Sequence, residues 1–456
     1  MRGTPKAKVP CDPRIGSARP RLSLRVMLGG GILFLALSFA FAPITKAEIP
    51  AAVAQPTENS GLDELLAYAV TSNPGLDSAF QRWRAALERI PQAGALPDPR
   101  FSYSYFFREV ETRVGPQRQK FGLSQALPWF GKLDLKEDAA ARAAEAEGFR
   151  YEAAIRAVLL EVKSAYFELA YLSRAVDVID ENLSILIKLE NVVRARYRTG
   201  QATHSDLIRA QVERGKLEDR KTSLEDLRNP LEARLNAALG RSSEAVLPRS
   251  SNISASPAQL DEGELLQNLL TANPELLALD REMDRQRVSL ELARKQSRPD
   301  FNIGFEFMET GGALMPDVED SGKDPFAIMF SINLPLWQGK YRAAQREASS
   351  RGLAADGARR DLANRLSARL KKALYEYRNA MRKIALYRDN LIPQGNQALE
   401  VTEQAFKAGN IGFTGLVDAQ RVLLEFQLSY ERALSDRALS LANIEMLAAA
   451  PRERTE

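Results

Sequence analysis

The sequence predicts a mainly α-helical protein with a duplicated architecture, in which long helical hairpins are combined with four β-strands of membrane-crossing length. Three observations predict this class. Turn and cap residues recur about 200 residues apart, two pairs of short segments alternate aromatic with small residues, and one stretch of roughly 65 residues contains no proline. Each half of the chain is therefore expected to contain a β-hairpin followed by a helical hairpin.

The N-terminal residues have the pattern of a secretory signal peptide. Arginines precede an apolar run from Val26 to Ala42, and small residues occupy both recognition positions before a cleavage point at Ala47. The alternative is a transmembrane anchor, but the run is only about 17 residues long and contains three consecutive glycines. We divide the chain into a signal peptide (1–47), an N-terminal segment (48–60), a first repeat (61–250) and a second repeat (251–456).

The charge of the whole chain misrepresents the exported part. The formal net charge is +4, but residues 1–47 hold eight of the 63 basic residues and one of the 59 acidic residues, which leaves 55 against 58 and a net charge of −3. The basic balance is thus no argument for nucleic-acid binding. The single cysteine, Cys11, also lies in this segment, so the remaining chain can form no disulfide.

Each repeat opens with two helices that meet at an Asn-Pro pair, which is a strong helix-start signal. Strands follow, about 100–108 and 119–128 in the first repeat and about 300–309 and 325–335 in the second. Phe101, Tyr103, Tyr105 and Phe107 alternate with smaller residues in the first of them. The period alone also suits a half-buried hairpin of a soluble domain. An open four-stranded sheet cannot lie in lipid, because its edge amides would be unpaired, so membrane strands would require several chains to share one barrel.

Helical hairpins are predicted after each strand pair, at about 131–240 and 338–450. The first arm, Lys132 to about Arg198, has no proline and would extend roughly 100 Å, which exceeds any globular core. The return arm, Leu207 to about Gly240, is expected to be interrupted at Pro230. The second repeat has the same plan, with arms from Gln338 to Lys407 and from Thr414 to Ala450.

The order of these elements resembles the TolC family of outer-membrane efflux proteins. The residues that carry the resemblance are the two Asn-Pro helix starts, the strand-to-helix corners LPWFGK and LPLWQGK, and the hairpin tips YRTGQATHSDLIRAQ and FKAGNIGFTGLVDAQ. The resemblance implies a homotrimer in the outer membrane, with twelve strands closing one β-barrel and twelve helical arms forming an α-barrel across the periplasm. It also implies two partners, a periplasmic adaptor and an inner-membrane pump.

The resemblance further assigns roles to residues at the hairpin tips. Asp206 and Asp418 match, by position after the tip glycine, the acids that line the closed periplasmic mouth. Phe406 stands where a gating tyrosine can be, and Ile411 where an arginine can be, so the hydrogen-bonded latch of some members is not expected here. The implied adaptor-docking residues are Arg198, Thr199, Gly200 and Gln201 in the first tip and Lys407, Ala408, Gly409 and Asn410 in the second.

Four residues at the tips and corners also have structural interpretations. Asp206 lies in the first turn of a helix, where a carboxylate is favoured whatever its function. Trp129 and Trp337, at strand ends, suit membrane-interface anchors but could equally pack the corner between barrel and helices. His204, the only histidine, lies at a tip without other metal-binding types, so we predict no metal site.

No catalytic constellation and no cofactor motif is found, and we predict that the protein is not an enzyme. The first functional hypothesis is a passive duct of a tripartite efflux pump that carries metal ions or small toxic compounds. The alternatives are a periplasmic coiled-coil scaffold or adaptor, and a duct for type I protein secretion. The corners and Met308, Met315 and Met329 look similar to members paired with heavy-metal pumps of the resistance-nodulation-division type, with drug or solvent efflux close behind. The sequence does not identify the cargo.

Overall fold

The computed structural model describes residue 56 and residues 60–247 and 258–448, which belong to one structural unit, Pro56–Glu456. The predicted signal peptide and nearly all of the predicted N-terminal segment lie outside the described residues. The first repeat contains α1 (Leu62–Ser72), α2 (Pro74–Leu87), α3 (Arg89–Gly94), β1 (Arg100–Thr112), β2 (Gly115–Leu127), α4 (Lys132–Arg198) and α5 (His204–Leu239). The second contains α6 (Glu262–Ala272), α7 (Pro274–Lys295), β3 (Phe301–Thr310), β4 (Phe326–Ile332), α8 (Gln338–Leu386), a π-helical turn (Tyr387–Leu391), α9 (Ile392–Lys407) and α10 (Phe413–Ala448).

The two Asn-Pro pairs start α2 and α7 by the same set of contacts. The Asn73 side chain accepts a hydrogen bond from the Leu76 amide at 3.1 Å, and Asn273 accepts one from Glu275 at 3.0 Å. Each side-chain amide also donates to a carbonyl near the end of a returning helix, over 2.8 Å for Asn73 and 3.1 Å for Asn273. Each asparagine therefore satisfies an orphan helix amide and ties its repeat together.

The four strands form one antiparallel sheet in the order β1-β2-β3-β4. β1 and β2 are joined by a two-residue turn and run to 13 residues each, longer than the prediction, whereas β4 has only seven and ends at Ile332. Beyond that point Asn333 bonds the backbone of Asp300, and Pro335 cannot continue the ladder. β1 and β4 form the two edges, and neither edge has a strand partner in the described chain.

The register brings the aromatic residues onto one face of the sheet. Leu123 lies opposite Phe101 on one side and Phe305 on the other, and Phe305 lies opposite Ile328. These side chains are exposed, and Phe107 is 94% exposed. The opposite face carries small and polar residues and one cross-strand ion pair of 2.7 Å between Lys120 and Glu306; its other members include Ser102, Gly122, Ser124, Asn302, Gly304 and Ser331. The predicted alternation is thus present in all four strands.

The helical hairpins confirm the long arms and correct one detail. α4 spans 67 residues and α5 spans 36. The predicted interruption of α5 at Pro230 is wrong, because Pro230 lies inside a continuous helix. Both Pro230 and Asp226, whose carbonyl loses its partner, are exposed, so water can bond that carbonyl. The π-helical turn in the second arm precedes Pro393, at the start of α9, which has no amide to donate.

The hydrophobic core is distributed along the helices in separate clusters and is not gathered in one central cluster. One cluster joins α1, α4 and α5 around Val162 and Leu239, and its counterpart joins α6, α8 and α10 around Leu370 and Leu447. Two further clusters join α4, α5 and α10 toward the tips, around Ile179 and Phe413. No helix in the described part of the chain is both long and apolar enough to cross a membrane.

Candidate functional site

The two hairpin tips have the same backbone conformation. Gly200 and Gly409 adopt φ values of +73° and +80°, in the left-handed region that side chains resist. Behind them the Gln201 amide donates to the Arg196 carbonyl at 2.8 Å, and the Asn410 amide to the Ala405 carbonyl at 2.9 Å. The predicted tip residues 198–201 and 407–410 therefore form the ends of α4 and α9 and the turns that follow them. Their role in docking stays a prediction.

Asp206 is held in a capping box at the start of α5. Its carboxylate accepts hydrogen bonds from the Thr203 amide at 3.1 Å and the Thr203 hydroxyl at 2.7 Å, and its own amide donates to the Thr203 hydroxyl oxygen at 3.2 Å. One carboxylate oxygen, Oδ2, receives both of these bonds. Asp206 thus has a structural task at the position where the resemblance implies a constriction.

Asp418 lies in a groove between α5 and α10, and its side chain is 60% exposed. Its carboxylate is 3.4 Å from Arg421, which also donates from Nε to Glu213 at 2.9 Å. The hydrogen bond from Arg421 is the main reason that the pKa of Glu213 lies below its usual range, and the same bond raises the pKa of Arg421. The groove is lined by Asp418 but not by Asp206, so only one of the two predicted acids lies on this surface.

Two arginines of the first hairpin tie it to the second, and sequence reasoning missed both. Arg196 donates to the Phe406 carbonyl and lies over the Phe406 ring, and Arg209 donates to the Thr414 hydroxyl. The repeat offers a signal that could have found them. Aligned on the tip glycines, Arg196 corresponds to Ala405 and Arg209 to Asp418, so both ties use positions where the two copies differ in charge.

Phe406 packs into the core of the tip. It is buried against Phe413, with ring centres 5.9 Å apart, in a cluster that Ile411 borders. A phenylalanine and an isoleucine have no polar side-chain group, so these positions cannot form a side-chain hydrogen-bonded latch. Near the tips of this chain, the polar contacts between the hairpins come from Arg196, Arg209 and the Glu213–Arg421 pair.

The two tryptophans have different environments at the other end of the hairpins. Trp129 stacks on Phe301 with ring centres 5.6 Å apart, and its amide donates to Asp300 at 2.7 Å. The buried Lys132 also bonds Asp300, at 2.7 Å, so this corner is packed. Trp337, at the second corner, is 79% exposed. Trp129 thus packs at the corner, and the role of both tryptophans at the membrane interface stays a prediction.

The described residues contain no group of three or more His, Cys, Asp and Glu arranged to hold a metal ion. The ring of His204 lies 5.5 Å from that of Tyr197 at the first tip.

Comparisons with families of sequences, with single proteins and with solved structures agree with one another. A family model described as outer membrane efflux protein matches residues 65–241 and 265–450. The cobalt-zinc-cadmium resistance protein CzcC of Cupriavidus metallidurans is 24% identical over 421 residues, which cover 88% of this chain and 94% of that protein.

Solved structures show the same fold. The outer membrane protein VceC of Vibrio cholerae superposes with a TM-score of 0.71 at 19% identity, over 85% of this chain and 96% of that one. The MtrE outer membrane channel of Neisseria gonorrhoeae, in its open state, superposes with a TM-score of 0.69 at 19% identity, over 85% and 89%.

Proposed function

The chain belongs to the outer membrane efflux protein family, and from that membership we propose that three copies of it form one passive duct for small toxic solutes. It is an outer-membrane channel component of a tripartite efflux pump, and its helical hairpins extend into the periplasm. Energy for transport then comes from an inner-membrane pump, to which a periplasmic adaptor connects the duct. The chain itself catalyses no reaction.

The observation that carries this proposal is the four-stranded sheet, which has one exposed apolar face and two open edges. Phe101, Tyr103 and Phe330 lie on that face, while the other face is mostly small and polar, with Met308 and Met329 among its members. In water such a face would be an aggregation hazard, and in lipid the open edges would leave amides unpaired. Three copies remove both difficulties, because twelve strands can close a barrel with its apolar face toward lipid.

The helices support the same assembly. α4 packs against α5 and α10, and α10 packs against α8 and α9, which leaves α5 at one edge of the helical layer and α8–α9 at the other. The α8–α9 edge exposes the apolar side chains of Tyr375 and Val401. Joining α5 of one copy to α8–α9 of the next would bury them in a closed wall of helices.

We assign the adaptor to the hairpin tips at residues 198–201 and 407–410, and the periplasmic constriction to Asp418 with Asp206. Asp418 is the better candidate, because it is exposed and Asp206 is engaged by Thr203. Trp337 is the proposed membrane-interface anchor, since it is exposed where β4 gives way to α8.

Divalent metal ions are the cargo that the relatives favour, because CzcC is described as a cobalt-zinc-cadmium resistance protein. A passive duct needs no metal site of its own when the pump selects the ion. No described feature favours protein secretion. A soluble scaffold would have no use for an apolar sheet face with membrane-length strands.

The test is single-channel conductance of the purified mature protein in planar lipid bilayers, combined with its mass in detergent. A stable trimer that gives discrete cation-selective openings is expected. A monomer or dimer without conductance would overturn the duct and favour the scaffold.

A further inference from the structure

We propose that β4 of one subunit pairs with β1 of the partner subunit in one defined register, with Ile332 opposite Tyr103 of the partner subunit. This proposal rests on the proposed trimer and specifies the seam between its subunits. It follows from the duplication, because the β2–β3 ladder inside one chain is the copy of the β4–β1 ladder that must form between chains.

The internal ladder supplies the register. Leu127, at the end of β2, lies opposite Phe301 at the start of β3. The repeat equates Leu127-Pro128 with Leu334-Pro335, and Pro299-Asp300-Phe301 with Pro99-Arg100-Phe101. Transferring the pair places Leu334 opposite Phe101 of the partner subunit. Ile332 then lies opposite Tyr103, and Phe330 opposite Tyr105, of the partner subunit.

Side-chain direction agrees with this register. The exposed aromatic and isoleucine residues of β4 occupy even positions, including Phe330 and Ile332, with Met329 as the one exposed apolar side chain at an odd position. The exposed apolar residues of β1 before its register shift occupy odd positions, including Tyr103 and Tyr105. A slip of one residue would set apolar side chains of one strand beside inward-facing positions of the other. Only slips of two residues therefore remain as alternatives.

Barrel geometry limits those alternatives. A line drawn across the sheet, perpendicular to the strands, passes through the paired residues Phe101, Leu123, Phe305 and Ile328. In the proposed register Ile328 lies opposite Phe107 of the partner subunit. The line therefore meets β1 of the next subunit six residues after Phe101, and this offset is the step per subunit. Three such steps around twelve strands correspond to a strand tilt of about 45°. A slip that lengthens the step by two residues gives a strand tilt of roughly 54°, which is outside the usual range. A slip that shortens the step by two residues gives a strand tilt of roughly 35°. Geometry excludes the first slip, and the duplication selects against the second.

One contact cannot be transferred to the seam. Inside the chain, Lys132 is buried and its Nζ is 2.7 Å from the Asp300 carboxylate. The second corner has one extra residue between Pro335 and Lys340, so Lys340 takes the place of Lys132 when the corners are aligned on their Gly-Lys pairs. Arg100 of the partner subunit takes the place of Asp300, and it has the same charge as Lys340. The seam therefore lacks the ion pair of the internal junction, and like charges approach each other there.

Cysteine cross-linking tests the register, since the only native cysteine lies in the predicted signal peptide. The double variants Ile332→Cys/Tyr103→Cys and Ser331→Cys/Ser104→Cys are oxidised and run on denaturing gels without reductant. Both are needed because adjacent pairs of an antiparallel ladder alternate between narrow and wide spacing. We expect at least one to give reductant-sensitive covalent trimers. Gln125→Cys/Ile303→Cys, the equivalent pair within one chain, is the oxidation control and should lose its free thiols without gaining mass.

Two out-of-register variants complete the test. Ile332→Cys/Phe101→Cys and Ile332→Cys/Tyr105→Cys are expected to remain single chains on the gel. Trimers from either of them, or from none of the four variants, would overturn the register. Conductance of the unoxidised proteins separates this result from a failure of the duct, because a conducting trimer that cross-links in another register leaves the duct intact.

The like-charge contact provides a second measurement. Arg100→Asp should restore an acid opposite Lys340 and raise the dissociation temperature of the trimer by several degrees, and Arg100→Ala should raise it less. A fall in that temperature with Arg100→Asp would contradict the equivalence of the two junctions.

Discussion

The guanidinium carbon of Arg196, near the end of α4, lies 4.9 Å from the centre of the Phe406 ring, near the end of α9. The same guanidinium donates to the Phe406 carbonyl. One side chain thus holds the two tips together through a ring and a backbone oxygen. Because the acceptor is a main-chain atom, substitution of Phe406 alone would leave the hydrogen bond available.

Removing the contacts between Arg196 and Phe406 should shift the periplasmic mouth of the duct toward its open state. A net loss of about 1.4 kcal/mol, within the range for one hydrogen bond, corresponds to a tenfold shift in a two-state equilibrium. We therefore expect Arg196→Ala to raise the open fraction of single-channel recordings about tenfold, and Arg196→Ala/Arg209→Ala to raise it further. Arg209→Lys keeps a donor for Thr414 and serves as the control. Unchanged open fractions in both alanine variants would show that the ties do not restrain the mouth.

Asp418 and Asp206 should respond differently to substitution. Asp418→Ala is expected to weaken block by multivalent cations from the periplasmic side at unchanged thermal stability, because its carboxylate is exposed. Asp206→Ala is expected to cost about 1 kcal/mol of stability through loss of the cap. Conductance titrations with a trivalent cation and thermal unfolding measure the two effects. Block that is unchanged in the double variant would remove both acids from the constriction.

The two faces of the sheet should differ in their tolerance of charge. Phe330→Lys puts a cation on the proposed lipid face, at a cost of roughly 2–4 kcal/mol near the bilayer centre. Ser331→Lys, one residue further on, puts the same cation on the opposite face. We expect Phe330→Lys to lower the yield of folded trimer in the outer membrane and Ser331→Lys to fold and change ion selectivity. Equal yields would contradict the assignment of faces.

The Glu213–Arg421 pair should make the tips acid-sensitive. Because the hydrogen bond from Arg421 lowers the pKa of Glu213, its stabilisation is fully present above the unfolded pKa of 4.5 and is lost as the pH falls through the lower folded value. Hydrogen exchange of α5 amides should thus accelerate more between pH 5 and pH 3 in the native protein than in Glu213→Gln, after correction for intrinsic rates. Equal acceleration would mean that another group controls the acid response.

Local signals predicted the parts of the fold that local chemistry determines. The Asn-Pro pairs gave the helix starts because Asn73 and Asn273 cap within three residues, and the alternation of β1 gave its exposed face. Pro230 was misjudged because the cost of proline in a helix depends on whether water can reach the carbonyl it frees, which sequence does not reveal.

The site was predicted less completely than the fold. The tip glycines and Asp206 lie where the pattern indicated, since turns and caps are local. The arginine ties join residues about 205 to 210 positions apart, and their acceptors are a backbone carbonyl and a hydroxyl that carry no distinctive sequence signal. The role of Trp129 depended on Phe301 and Asp300, which come next to it only when β2 pairs with β3.

The β2–β3 ladder also constrains the order in which the protein can mature. β2 cannot pair with β3 until Phe301, the partner of Leu127, has been exported. The first hairpin therefore leaves the translocation machinery before α4 and α5, with its aromatic face and both strand edges uncovered. Pairing between such distant segments is slow, and uncovered strand edges aggregate. We therefore expect the first hairpin to be the segment most exposed to aggregation until the second half of the chain is complete.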